Sequence, residues 1–571
     1  MTRHTLGQRP PSATSKIPMR FHTDPQELAR LPNVWYSAIG VRLHASFGRQ
    51  RRHTIWCRLQ TGAGWTEQCT KGGERRPDVP GAGRGVCRQG TMIISLATFE
   101  HLPKRVGGLA EAATSIGESL ARDNEVMVFM PSHGIHKTER EFKAKKYGKF
   151  RITAGPSPFD VTVYEMDRNG VRVFLLSDDV MDHPDVYFPR ETLTAKLVHF
   201  AHAFPAAVNL IMGREGKKPD VAHINDWHCV LGGAVARKYL RIPMVYTIHR
   251  ICREKIAVSE MERAGLGEFV DPECIEVGPE GIMFNLETFG CRVCDHLTTV
   301  SYTYLNEEWK TLFGDYAGKA TYVWNGMDFS FWDPAKLTDA DKSRDARRAA
   351  ILREQGLDDG ILYFYVGRFD MEQKGVDHMF AAAQMILDGK LPGADRLAPE
   401  FRMVVLGSGD PVLENMAREM ERKYPKNVKA IIGYLGREAT RAWYGASDFC
   451  VIPSNFEPFG LVQLEAMCMG SIPIGTKVGG INDTVLDMDR SKEGATGKLV
   501  PPRNPRELAG AMVKMGILQM DDRARIETVR DNGRPHVMTN FTWDKAAQRY
   551  LCVYQGIASV RLPFADFGGP F

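Results

Sequence analysis

The sequence predicts an α/β protein of two domains, each a mostly parallel sheet covered by helices. The 571 residues exceed what a single hydrophobic core usually spans. From Met92 onward, short aliphatic or β-branched runs alternate with longer helical stretches, the mark of parallel sheets with helical crossovers. The alternation changes character around residues 322–334 and then starts again.

The first buried strand is read at residues 92–97 (Met-Ile-Ile-Ser-Leu-Ala), with a helix over 110–121 and a strand at 126–130. Strands at 161–165 and 171–176 flank Asn169-Gly170, a tight-turn pair that suggests a hairpin. Strands at 221–224, 244–248 and 296–300 complete the first domain. A helix near 344–355 precedes the second series, at 361–366, 402–406, 428–432, 449–452 and 472–474. Residues 543–554, with Ala547, Tyr550 and Leu551 on one face, read as a terminal helix. The limits expected are 92–325 for the first domain, 326–535 for the second and 536–571 for a crossover helix and tail.

Residues 1–91 stand apart. They hold 15 Lys and Arg against 5 Asp and Glu, so the formal charge of +5 hides a remainder near −5. Three readings stay open for them: a disordered or poorly packed extension, a start placed too early, and a targeting or binding arm. The basic excess sits in a segment without periodicity rather than on an organised face, which speaks against nucleic-acid binding. No apolar run is read as long enough to cross a bilayer. Eleven scattered cysteines, among them Cys229, Cys450 and Cys468 in apolar segments, suit a reducing compartment, and the expectation is a cytoplasmic protein.

Polar residues gather in four places at strand ends, where open parallel sheets bind ligands. The first is Lys104-Arg105-Val106-Gly107-Gly108 before a helix: the glycines let amides approach a diphosphate or sugar hydroxyls, or they form a plain tight turn. The second is His223-Ile224-Asn225-Asp226-Trp227-His228 with His249 at the next strand's end. It reads as sugar-binding imidazoles, as structural histidines or, less economically, as a metal site. The third is Gly367-Arg368, followed by Lys374-Gly375, a pair of cations able to clamp a leaving diphosphate or simply to face water. The fourth is Phe456-Glu457-Pro458-Phe459-Gly460 with Glu465 eight residues beyond Glu457. Glu457 is placed to meet a donor sugar and Glu465 a nucleotide ribose, with Gly479 and Gly480 offering two more amides and Asp483 and Thr484 close behind.

In this order and spacing, the motifs resemble those of the glycogen and starch synthases, specifically the compact archaeal-like forms, over roughly residues 92–556. The resemblance implies the GT-B type of fold, two Rossmann-like domains facing a central cleft. It also implies retaining transfer of glucose from ADP-glucose or UDP-glucose to the non-reducing 4-hydroxyl of an α-glucan or maltooligosaccharide. It assigns His249 to the donor glucose, Arg368 and Lys374 to the departing diphosphate, and Glu457 and Glu465 to the two-glutamate motif. It matches Arg105, Gly107 and Gly108 to the Lys-x-Gly-Gly-Leu loop, Gly479 and Gly480 to phosphate-side amides, and residues 323–328 to the interdomain hinge. Arg105 stands where the family carries lysine, and Arg250 where asparagine usually follows the histidine.

No Asp-x-Asp motif is placed to hold Mg²⁺ between phosphates, so no metal and no cofactor is expected. Cys291 and Cys294 have the spacing of half a zinc site but no second pair to complete it, and read as a buried helix-face pair. Neither a nucleic-acid nor a membrane partner is expected, and a homo-oligomer stays open. Two competing readings remain: a related retaining transferase making a small glucoside, disaccharide or nucleotide-sugar product, and a glucan-binding protein with a retired site.

Overall fold

The computed structural model describes residues 90–558, apart from 139–142, 154, 156, 188–189 and 492. The basic extension read at 1–91 therefore lies outside the described residues except for its last two, as does the tail from residue 559.

The N-terminal lobe is a nine-stranded sheet. Its strands are β1 (Ile93–Ala97), β2 (Glu125–Pro131), β3 (Lys145–Ile152), β4 (Phe159–Arg168), β5 (Val171–Ser177), β6 (Val221–Asn225), β7 (Met244–Ile248), β11 (His296–Thr299) and β12 (Ala320–Tyr322), in the order β12-β11-β7-β6-β1-β2-β5-β4-β3. Pairing is parallel from β12 to β5, and β4 and β3 are added antiparallel. The central strands β6 and β7 are buried along their whole length, which is why they read as unbroken apolar runs. β4 and β5 do form the hairpin, with Asn169 (φ 50°) and Gly170 (φ 83°) at its turn. β3, Lys-Lys-Tyr-Gly-Lys-Phe-Arg-Ile, escaped the sequence reading because it is a lysine-rich sheet edge. A small separate sheet of β8 (Lys255–Ala257), β9 (Ile275–Gly278) and β10 (Gly281–Asn285) was missed too, its strands being short and largely solvated.

The helix Arg190–Glu215 corrects the reading of apolar runs: its stretch Leu193–Glu215 is long and apolar enough, by length and composition, to cross a membrane. Here Phe200, Phe204, Ala207, Val208 and Ile211 bury that apolar surface in the core of the lobe.

The C-terminal lobe is a six-stranded, wholly parallel sheet of β13 (Ile361–Val366), β14 (Phe401–Gly407), β15 (Val428–Ile432), β16 (Phe449–Ile452), β17 (Ile472–Thr476) and β18 (Lys498–Val500), in the order β15-β14-β13-β16-β17-β18. The helix Arg523–Asn540 runs through residue 535 with Pro535 inside it, and the chain turns at Phe541 instead. The terminal helix Trp543–Ala558 then packs on the helix Gly108–Leu120 of the first lobe. The chain thus passes between the lobes twice, at residues 323–327 and at 541–543, and the two passages are joined by the Met327 amide donating to the Phe541 carbonyl at 3.0 Å.

Two buried contacts fix this return. Gly326 lies so close to Trp543 that any Cβ would collide with its backbone nitrogen and indole. His223, on β6, is hydrogen-bonded to the hydroxyls of Tyr554 on the terminal helix and Thr247 on β7, each at 2.7 Å. Burial holds the His223 imidazole neutral, with its pKa lowered to about 3.

Gly326→Ala should cost about 1–3 kcal/mol through overpacking at the crossing, seen as a lower denaturant midpoint. The native state refuses a proton at His223 that the unfolded chain accepts below pH 6.5. This contribution to stability is therefore full above 6.5 and is lost as pH falls toward 3. His223→Gln should show a shallower acid loss than the parent between pH 6.5 and 4, by at most about 1.4 kcal/mol per pH unit in denaturant titrations.

Candidate functional site

The loops that carry the four polar groups leave the carboxyl ends of β1, β6, β7, β13, β16 and β17. The two lobes meet there. The Arg250 guanidinium of the first lobe lies over the Phe456 ring of the second, 5.7 Å from its centre, so the neighbours His249 and Glu457 belong to one cleft. The Ser301 hydroxyl donates to the Pro458 carbonyl at 2.6 Å, beside Glu457.

On the β1 side, the buried Glu100 carboxylate accepts the amides of Val106 and Gly107, both at 2.7 Å, and the Tyr187 hydroxyl at 2.5 Å. The Gly107 amide is thus held by Glu100 and shapes the loop. Gly108, which opens the helix Gly108–Leu120, has open space where a Cβ would stand. Arg105 sits 4.0 Å from Glu111, and Glu111 lies 3.7 Å from Arg437 of the other lobe, an ionic chain across the cleft. Glu100, Glu111 and Arg437 were missed by the sequence reading. An acid shortly before a Gly-Gly pair was the available signal for Glu100; Arg437 gave none, because its partners are more than a hundred residues away.

Asp226 has a positive φ of 56°, and its carboxyl accepts the His249 amide at 2.7 Å. Burial, with smaller contributions from Glu287 and Glu100, pushes the carboxyl up to about 8. The Asn225 amide group donates to the Ala97 carbonyl at 3.2 Å, so its oxygen faces His249 Nε2 at 2.9 Å. Burial lowers the His249 pKa to about 4. His249 is therefore neutral near pH 7 with its proton on Nε2, and Nδ1 is left as an acceptor. His228 packs edge-on to Phe99 with ring centres 4.6 Å apart, and neither of its buried ring nitrogens has a hydrogen-bond partner in the structure.

In the second lobe, the Lys374 ammonium is 2.5 Å from the Glu457 carboxylate, which also accepts from Ser454 at 3.2 Å. Arg368 instead pairs with Asp370 at 2.8 Å and reaches Gln373 at 3.3 Å. Lys374 and Arg368 thus each pair with a carboxylate, Glu457 and Asp370 respectively. Glu465 accepts the Tyr444 hydroxyl at 3.1 Å, and burial raises its pKa to about 7 against the pull of Arg105 and Arg437. A Cβ on Gly479 (φ 39°) would collide with the Glu457 carbonyl, and one on Gly480 with the backbone of Phe459. The Gly480 amide donates to the Glu457 carbonyl at 3.1 Å, so this glycine packs against the Glu457 loop. Glu308, another residue that the sequence did not reveal, is raised to about 7 by burial, then by Glu307 and Glu457.

Among the described residues, no group of three or more His, Cys, Asp or Glu could hold a metal ion. The buried Cys294 thiol donates to the Cys291 carbonyl at 3.7 Å. The site therefore offers a neutral imidazole acceptor, an ammonium–carboxylate pair and an arginine within one cleft.

Residues 93–320 match the starch synthase catalytic domain family, and residues 361–516 match the glycosyl transferases group 1. The chain is 30% identical to a glycogen synthase of Anaeromyxobacter dehalogenans (strain 2CP-C) over 510 residues, covering 82% of this chain and all of that one. It is 28% identical to glycogen synthase 2 of Agrobacterium fabrum (strain C58 / ATCC 33970), covering 82% of this chain and 93% of the relative. In fold it is similar to the catalytic domain of starch synthase IV from Arabidopsis thaliana bound to ADP and acarbose, with a TM-score of 0.68, 22% identity, and coverage of 82% of this chain and 100% of that domain. The chain belongs to the glycogen and starch synthase family and is a nucleotide-sugar-dependent glycosyltransferase of the GT-B fold.

Proposed function

We propose that this enzyme transfers glucose from ADP-glucose or UDP-glucose to the non-reducing 4-hydroxyl of an α-1,4-glucan with retention of configuration. The observation that carries the reading is the meeting of the β7 and β16 loops through Arg250 and Phe456, which sets the neutral His249 and the Lys374–Glu457 pair in one cleft. In this reading His249 Nδ1 accepts a hydroxyl of the donor glucose, and Glu457 orients the sugar. Lys374 and Arg368 offset the charge that builds on the departing diphosphate. Glu465 holds the ribose, and Arg105, Gly108 and Gly479 line the diphosphate.

The acceptor 4-hydroxyl attacks C1 on the face from which the diphosphate leaves. The C1–O bond to phosphate breaks, the new C1–O4 bond forms, and the acceptor proton passes to the leaving diphosphate. Cations on side chains supply the electrostatic stabilisation, with no metal cofactor assigned. The eight described cysteines are all free thiols, which supports a cytoplasmic setting.

A donor panel with glycogen and maltooligosaccharides, scored for polymer incorporation and nucleotide diphosphate release, is expected to show serial extension with ADP-glucose or UDP-glucose. A single fixed product would turn the reading to a small-glucoside transferase, and transfer only from a non-glucose donor would overturn the substrate. Lys374→Ala should lower turnover roughly a hundredfold, the equivalent of about 3 kcal/mol at a developing anion. It also strips the mostly buried Glu457 of its cation, so a lower melting temperature should accompany the loss. Glu372→Ala should change both little. Near-normal turnover and donor affinity in Lys374→Ala would remove it from the diphosphate clamp.

A further inference from the structure

The helix Gly479–Thr484 begins against the backbone of Glu457 and ends at a carboxylate spent on the other lobe. Asp483 accepts the Tyr302 amide at 2.6 Å, the Thr303 amide at 3.2 Å, the Thr303 hydroxyl at 2.5 Å and the Trp324 indole N–H at 3.1 Å. Asn482 beside it donates to the Thr303 hydroxyl oxygen at 3.1 Å. Tyr302 and Thr303 follow β11 in the first lobe, and Trp324 lies on the passage between the lobes. Four donors converging on one carboxylate is a far denser arrangement than lobes joined by two short passages require, and lobes so joined move relative to each other by default.

We propose that Asp483 is a positioning residue, a latch that couples the approach of the two lobes to the placement of the donor-binding groups. Gripping Tyr302, Thr303 and Trp324 fixes the helix Gly479–Thr484. The Gly480 amide bonded to the Glu457 carbonyl then fixes the Glu457 loop against the His249 side. This rests on the reading of Glu457 as a donor-sugar ligand. A latch of this kind acts on transfer, which needs both lobes in register, more than on nucleotide binding, most of whose groups (Arg368, Lys374, Glu465 and Gly479) lie in the second lobe.

The test uses full-length Asp483→Ala and, from the opposite lobe, Thr303→Val, which deletes one donor without touching the nucleotide lobe. The expected result is a fall in kcat of tenfold or more for Asp483→Ala and about threefold for Thr303→Val. The Kd of ADP and UDP by calorimetry should stay within twofold, and the double variant should be no slower than Asp483→Ala. X-ray scattering should give a larger radius of gyration for Asp483→Ala than for the parent. Loss of nucleotide affinity in step with kcat would make Asp483 part of the nucleotide site and overturn the latch. Unchanged kcat, additive effects or an unchanged radius of gyration would also overturn it. A parent protein inactive with every donor fails the functional reading instead, and scattering then decides the latch alone.

Discussion

Glu457 stands at the end of β16 with its carboxylate largely withdrawn from water, and a charge so placed must be matched where it stands. Lys374 matches it, and this contact joins the loop after β13 to the loop after β16. Neighbouring features follow from keeping that pair in place. Gly375 lies so close to the Pro453 carbonyl that no side chain fits, which lets Lys374 reach across. Gly479 and Gly480 let the next helix press onto the Glu457 and Phe459 backbone without side chains. The pair is thus the point around which three loops of the second lobe are built.

The first lobe answers with a different kind of order. Its side of the cleft is held by buried carboxyl groups that accept backbone amides, Glu100 from Val106 and Gly107, and Asp226 from His249. These bonds fix loop shape, and Asn225 fixes the tautomer of His249. The second lobe contributes the Lys374–Glu457 pair and Arg368 to the cleft, and the first a neutral imidazole. Between them Arg105, Glu111 and Arg437 form an ionic chain that crosses the cleft, and it lies near enough to Glu465 to bear on that carboxyl. The division suits a reaction in which negative charge grows on one partner while an uncharged sugar is held on the other.

Much of this was legible in the residues. The strands buried on both faces read as apolar runs because nothing polar is tolerated there, and the Asn169-Gly170 turn announced its hairpin through the φ values that it needs. The edge strand β3 and the small sheet β8 to β10 did not read as strands, since their pairing rests on neighbours and not on an apolar pattern. Likewise His249, Arg368, Lys374 and Glu457 were picked out by their positions after strands, and Glu465 by its eight-residue spacing from Glu457 into the next helix. Some of their partners were also read (Asn225 and Asp226 for His249, Lys374 for Glu457), while others, Asp370, Ser454, Tyr444 and Arg437, lay outside the reading.

By itself, the sequence determined the two-lobed α/β architecture, the order of its buried central strands along the chain and the loops that face the cleft, because burial and turn geometry act on neighbours in the chain. Only the tertiary structure decided what those loops do to one another. It tied the Gly107 amide to Glu100 and the Gly480 amide to the Glu457 carbonyl, paired Lys374 with Glu457 and Arg368 with Asp370, and set Asp483 against Tyr302, Thr303 and Trp324. A hydrogen bond or ion pair depends on distances of a few ångströms between residues often far apart in the chain, and no local pattern records which of several polar residues will meet.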